Sequence, residues 1–309
     1  MILCFTLLLV SCSTVPKISL PADSELAEFS LLPAGGMAYL WVDVEQGRPL
    51  IDVLSLDGRS LVDAAPILDR TNSAVAVIYP LDPGTEHRFF LAASGSYPRR
   101  SANFSLGFSR EWKRQRSITG NRYWYSAYFD LAIALGSDIA FASDSDPFVV
   151  LSRSDSSVIM PQGFLEFHRP MALAGWLNNP KDAIDTFLES IALPIQIPAE
   201  DFFFGAARLP MDHPSTDELL WELSFRIRVS SERDARAFSS GMNLALLLFR
   251  RGAALRPILP SGSMNLMDFI PILFANNLEQ DGEYITLKTA PMDENRIALL
   301  FSVLQVYSK

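Results

Sequence analysis

Trp221-Glu222-Leu223-Ser224-Phe225-Arg226-Ile227-Arg228-Val229 alternates strictly between apolar and polar side chains. Successive residues of a strand point to opposite faces, so this period of two predicts a β-strand with one face in a core and the other in water. Directly downstream, Ser231-Glu232-Arg233-Asp234 has the spacing of a capping box, in which a hydroxyl and an acidic side chain three residues on satisfy the free N–H groups of a helix start. The helix predicted from there carries Ala235, Phe238 and Met242 on one stripe and Arg250-Arg251 near its carboxyl end, where cations complement the helix dipole. Its apolar run from Leu244 to Phe249 is expected in a core.

The same vocabulary recurs outward from this pair. Ser73 to Tyr79 and His87 to Ala92 flank Pro83-Gly84 and predict a hairpin. A helix is expected over about 102–115, and β-rich segments Tyr123 to Ala134 and Ser137 to Ser143 meet at Leu135-Gly136. Glu283 to Lys288 and Arg296 to Val306 flank Pro291-Met292-Asp293-Glu294-Asn295 and predict a final hairpin. Further helices are expected at about 47–69, 182–192 and 264–276. The fold class is therefore α+β, with antiparallel sheets and helices packed on one face. Two arrangements stay open. Pro33-Ala34 and Pro198-Ala199 both lead into apolar strands, which suggests related tandem units over 29–160 and 196–309 joined by a helical connector over 161–195. The other arrangement is one α+β domain.

Composition narrows the functions. A chain of 309 residues that is 49% hydrophobic can bury one large or two medium cores. Net charge of −9 and a pI near 4.9 provide no global attraction to nucleic acid, so no nucleic-acid partner is expected. Mean hydropathy is +0.17, yet the longest apolar run after the N-terminus is far shorter than the ~20 residues a membrane helix needs.

The N-terminal stretch carries the clearest address. Met1 to Val10 is an oily run that ends at Ser11-Cys12, followed by the polar, Pro-containing Ser13-Thr14-Val15-Pro16. Leu9-Val10-Ser11-Cys12 resembles the lipobox of bacterial lipoproteins. The resemblance implies a signal peptide over 1–11, a lipidated Cys12 at the new N-terminus, and a linker over 12–28 whose contour of roughly 50 Å stands the body off a bilayer. It further implies a cell-membrane or outer-membrane anchor, with the body in the periplasm or at the cell surface, held by acyl chains at ~0.8 kcal/mol per buried methylene. No Lys or Arg precedes the run, as a signal usually requires, so a start a few codons upstream is expected. Cys4 and Cys12 are the two cysteines of the chain, so a processed body is expected to lack thiol catalysis and disulfides.

Catalytic patterns are scarce. His87, His168 and His213 form no spaced ligand set, and each is expected on a surface or in a strand. No G-x-S-x-G elbow and no phosphate-binding glycine loop occurs. Asp144-Ser145-Asp146 offers oxygen ligands but lacks the glycine and distal glutamate of a calcium loop, and it reads as a strand end before Pro147. Asp182, Asp185 and Glu189 read as surface charge. No metal, cofactor or enzymatic activity is expected.

One local charge anomaly stands against the acidic background. Arg99-Arg100, Arg110, Lys113, Arg114, Arg116 and Arg122 are interrupted by a single acid, Glu111, and set among Phe104, Phe108 and Trp112. Read as a basic amphipathic helix, this stretch makes Arg110, Lys113, Arg114 and Arg116 the candidate contact for lipid headgroups or an acidic partner. Read plainly, the cations complement a helix end. The expected function is a lipid-anchored, non-catalytic envelope protein that binds another envelope protein or contributes to an assembly. A carrier of hydrophobic ligands, suggested by Phe202-Phe203-Phe204 and Tyr123-Trp124-Tyr125, comes second, and an envelope hydrolase third.

Overall fold

The residues Trp221–Val229 form a strand over their whole predicted length. A computed structural model describes residues 26–53, 65–80, 88–152, 158–182, 184–185, 198–210, 219–254 and 278–307. In chain order its elements begin with β1 (Ala38–Asp43), α1 (Val44–Val53), α2 (Ala65–Leu68), β2 (Thr71–Ile78), β3 (Phe89–Gly95) and α3 (Arg99–Phe108). There follow β4 (Lys113–Arg116), β5 (Arg122–Ser126), β6 (Leu131–Leu135), β7 (Ile139–Ser143), α4 (Pro147–Ser152) and α5 (Phe164–His168). The last are β8 (Leu173–Leu177), β9 (Ala199–Arg208), β10 (Trp221–Val229), α6 (Glu232–Ala254), β11 (Glu279–Asp281), β12 (Tyr284–Lys288) and α7 (Glu294–Tyr307). The fold mixes helices with a large antiparallel sheet.

The described residues up to 37 and within 64–159 make one compact unit, and those within 38–63 and 160–309 make the other. This interleaving differs from the expected division into 29–160, a connector over 161–195, and 196–309. Strand β1 belongs to the second unit, and β8, from the expected connector, pairs there with β1 on one side and β9 on the other. Such long-range pairing leaves no local mark on sequence.

In the second unit the strand order is β11-β12-β10-β9-β8-β1, antiparallel throughout. Alternation places Trp221 and Leu223 on one face, where they cluster with Leu50 of α1, Met292, and Ile297 and Leu300 of α7. Farther along the same face Val229 and Ile285 meet Ala235 of α6. On the opposite face Phe164 of α5 packs edge-on against Trp176 (4.7 Å) and Phe203 (5.8 Å). Helices thus cover both faces here, not one. The physical reason is the unbroken Phe202-Phe203-Phe204 run, which sends large apolar rings to both sides of β9.

The polar side of β10 is only partly in water. Ser224 is fully buried, the Arg226 guanidinium lies 4.1 Å from the Tyr284 ring centroid, and Arg228 pairs with Asp201 and Glu200. A central strand flanked by β9 and β12 finds its polar side covered by its neighbours' long side chains.

Helix α6 begins where the capping box predicts. The Asp234 N–H donates to the Ser231 Oγ at 3.2 Å, and the Ser231 hydroxyl donates to the Asp234 carboxylate at 2.6 Å. That hydroxyl, followed by the one on Ser230, holds the Asp234 carboxyl below its ordinary range. Replacing Ser231 by Ala is expected to lower stability by about 1 kcal/mol at neutral pH. Because the folded Asp234 carboxyl is the stronger acid, its contribution is present above the ordinary carboxylate range and fades as pH falls through the lowered value. Urea titrations of wild type and Ser231→Ala at pH 7 and pH 3 should show the gap narrowing in acid; a gap that widens there would contradict the assignment.

Two expectations fail at the C-terminal side. Leu244 and Leu247, expected in a core, are exposed. The segment from Arg296 is helix α7 and not a hairpin strand: Asp293 caps it, accepting the Arg296 N–H at 2.8 Å, and β12 pairs instead with β10 and β11. Of the other expected helices, 47–69 is represented by α1 and α2, whereas 264–276 and most of 182–192 lie outside the described residues.

In the first unit the order is β2-β3-β7-β6-β5-β4, again antiparallel. The expected hairpin is there, with Val77 opposite Phe90. Val75, Val77, Phe90 and Phe141 fill one face, and Phe90 and Phe141 stack at 5.7 Å. The other face collects Ala93, Ile133, Leu135 and Ala140 with Tyr97, and Ala102 and Leu106 of α3 close it.

Candidate functional site

The charge anomaly of the sequence sits on α3, β4 and β5. Helix α3 follows Pro98, whose carbonyl accepts the Ala102 N–H at 3.0 Å, and it stops at Ser109, whose N–H bonds the Leu106 carbonyl at 3.3 Å. Its inner side is anchored twice. Ala102 and Leu106 join the apolar face of the sheet, and the Asn103 Oδ1 accepts the Trp124 Nε1–H at 2.7 Å. Phe104 and Phe108, one turn apart, point outward, 68% and 75% exposed, with ring centroids 4.6 Å apart.

The helix expected over 102–115 therefore ends at Phe108, and Arg110, Lys113, Arg114 and Arg116 are not on it. Trp112 stacks on Phe129 at 6.0 Å, and Lys113–Arg116 form β4, paired with β5 as Lys113 to Tyr125, Arg114 to Trp124, Gln115 to Tyr123 and Arg116 to Arg122. The strongly β-prone Tyr123-Trp124-Tyr125 needs a ladder partner, and that demand outweighs the modest helix propensity of Lys, Arg and Gln. Ser117 to Gly120 close the hairpin: the Gly120 N–H bonds the Ser117 carbonyl at 2.9 Å, and its φ of +88° lies in the left-handed region that glycine tolerates. Ile118 stands at the tip, almost fully exposed.

Strand β4 is last in the order of its unit, and all four of its side chains are exposed. Arg114 and Arg116 share one face, where the Arg114 guanidinium lies 5.9 Å from the Trp124 ring centroid, while Lys113 and Gln115 share the other. Arg110 is exposed in the bend before the strand. The four predicted contact residues therefore fall together as an extended cationic edge instead of a helical stripe. Arg116 directly faces Arg122 across the strand pair. The pattern Lys-Arg-Gln-Arg could have signalled a strand through its contact with the aromatic run six residues on. Cys12 lies outside the described residues.

Of the remaining candidates, Asp182 is exposed as expected of surface charge, whereas Asp185 is half-buried with its Oδ1 buried and without a hydrogen-bond partner among the described residues, and Glu189 lies outside the described residues. Asp144 Oδ2 accepts the Arg88 N–H at 2.8 Å and its Nε–H at 3.0 Å, and Arg88 also binds Asp130; these carboxylates, Asp144 first, raise the Arg88 pKa. Asp146 caps α4, accepting the Phe148 N–H at 2.9 Å. Asp144 and Asp146 thus serve different neighbours and do not converge. Among the described residues no three His, Cys, Asp or Glu side chains form a metal-binding group. His168, expected on a surface or in a strand, is a buried helix residue whose Nδ1 bonds the Leu165 carbonyl at 2.7 Å and whose ring meets Trp41 edge-on. His87 and His213 lie outside the described residues. No described helix is long and apolar enough to cross a membrane.

No protein-family model matches the chain, and no curated protein matches it. Solved structures do. Crystal form III of TP0453 superposes with a TM-score of 0.56 at 16% sequence identity, covering 89% of this chain and 97% of that one. The likeness is one of fold. Crystal form IV of TP0453 gives 0.55 at 16% identity over 89% of this chain and 96% of that one. Crystal form I gives 0.55 at 15% identity over 92% and 98%.

Proposed function

We propose that this chain is a lipid-anchored cell-envelope protein with a non-catalytic binding or assembly role, and that it binds an acidic partner, another envelope protein, along the cationic edge of β4. The observation that carries this reading is a terminal strand with every side chain exposed, three of them cationic, in a chain whose net charge is −9. A positive strip on a negative body focuses attraction for acidic groups where the rest of the surface repels them. The lipobox supplies the anchor, through Cys12 acyl chains in the cell membrane or outer membrane, with the body in the periplasm or at the surface.

Two experiments test it. Metabolic labelling with a fatty-acid probe should tag the wild type and not Cys12→Ala; label retained in the variant would remove the anchor. Polyglutamate binding by the full chain should weaken at least about tenfold at low ionic strength when Lys113, Arg114 and Arg116 are all changed to Glu. Equal binding by the triple variant would place the anionic contact elsewhere. Vesicles with and without anionic lipid distinguish a headgroup contact from an acidic protein. The carrier reading has a weaker basis. The apolar cavity lined by Leu50, Leu173, Phe204, Leu223, Phe225 and Ile297 holds about 50 Å³, against roughly 150 Å³ for a benzene-sized site.

A further inference from the structure

We infer that the acidic partner of β4 is strand β11 of a second copy of this chain, so that the protein assembles head to tail through its two charged sheet edges. The inference rests on the proposed reading of β4 as the binding edge. Strand β11, Glu279-Gln280-Asp281, is last in the order of its own unit as β4 is of its own, and its three side chains are all exposed. Edge strands carry outward N–H and C=O groups at alternate residues, which makes each a template for another strand.

The sequences of the two edges are complementary at matching spacing. Antiparallel pairing that sets Gln280 opposite Gln115 brings Asp281 opposite Arg114 and Glu279 opposite Arg116. Because residues two apart share a face, both ion pairs form on the same side of the joint sheet. The central glutamines are left to hydrogen-bond each other, and the Gln280 amide has only long contacts to give up, at 3.3 Å to the Gly282 carbonyl and 3.5 Å to the Glu232 carbonyl. Pairing of like edges is disfavoured: β4 against β4 opposes cations, and β11 against β11 opposes carboxylates. Charge therefore prevents a two-fold edge contact and selects the heterologous one. A contact of three residues per strand is weak by itself, and anchoring of many copies in one bilayer raises the effective concentration it needs.

Charge exchange tests the inference on the full chain, by sedimentation velocity in detergent at low salt and by cross-linking in reconstituted vesicles. Wild type should self-associate, and the self-association should disappear as salt rises. Arg114→Glu with Arg116→Glu, and separately Glu279→Arg with Asp281→Arg, should each weaken self-association at least about tenfold. The protein carrying all four changes should regain it, as should a mixture of the two double variants, and that recovery shows that the variants fold. Self-association that survives either double variant overturns the inference. A wild type that stays monomeric in vesicles but binds polyglutamate through β4 overturns it while leaving the binding edge in place. A monomer that also fails to bind polyglutamate removes both readings.

Discussion

Replacement of Trp221 by Ala is expected to lower the free energy of unfolding by about 3–5 kcal/mol, the range for deleting a large buried aromatic side chain. Trp221 is fully buried at the start of β10 and belongs to the cluster that joins Leu223 of that strand to Leu50 of α1 and Ile297 and Leu300 of α7. Its Nε1–H donates to the Glu294 carboxylate at 3.1 Å in the first turn of α7. Its backbone exchanges two hydrogen bonds with Met292, of 2.8 and 2.9 Å, directly before that helix. The indole thus fills the core and ties α7 to the sheet, and its loss leaves a cavity that two helices and a strand cannot jointly close. Trp221→Phe keeps most of the ring and loses the donor, so a cost of about 1–2 kcal/mol is expected there. Urea denaturation followed by circular dichroism would show both values; a Trp221→Ala cost below about 1 kcal/mol would mean that this cluster does not hold the unit together.

The second large effect comes from adding a single methyl group. An ideal Cβ on Gly95, at the end of β3, would lie 2.0 Å from the Arg70 carbonyl oxygen and 3.0 Å from both the Arg70 carbonyl carbon and the Thr71 Cα. These are backbone atoms with no rotamer to escape into. The same Arg70 carbonyl accepts the Ser96 N–H at 2.9 Å, so moving it breaks a bond that closes the β2–β3 pair. Gly95→Ala is therefore expected to cost about 3 kcal/mol or more, at or above the usual range for overpacking. Gly241 supplies the contrast: it is an exposed residue of α6 with nothing within 4 Å of its ideal Cβ. Gly241→Ala should stabilise by about 0.5–1 kcal/mol, because alanine loses less backbone entropy in a helix. Thermal unfolding of the two variants side by side should move in opposite directions, and equal midpoints would show that the close approach at Gly95 is absent.

The candidate site was half legible in the sequence. Arg110, Lys113, Arg114 and Arg116 stand out as a cationic run in an acidic chain, and charge is a property of residue type that needs no structure. Their geometry was not legible. Phe104, Phe108 and the cations fit a helical wheel, and only the pairing of β4 with Tyr123-Trp124-Tyr125 decides that the run is extended. The acidic triplet Glu279-Gln280-Asp281 carries no signal in the sequence, because three polar residues among many acids gain meaning only as a sheet edge.

What the sequence determined by itself is local. The alternation over 221–229, the pairing of β2 with β3 and the Ser231 cap each depend on residues close to one another in sequence, and the described backbone obeys them. The tertiary structure decided whatever depends on partners far along the chain: the helix that Asp293 caps locally is seated by Trp221, whose indole N–H bonds Glu294 from the far side of the sequence. In the same way, β8 joins β1 with β9, and both faces of the second unit's sheet are covered. Hydrogen-bond ladders and buried apolar area reward contact in space irrespective of separation in sequence, and their sum over a sheet exceeds the few tenths of a kcal/mol by which local propensities differ.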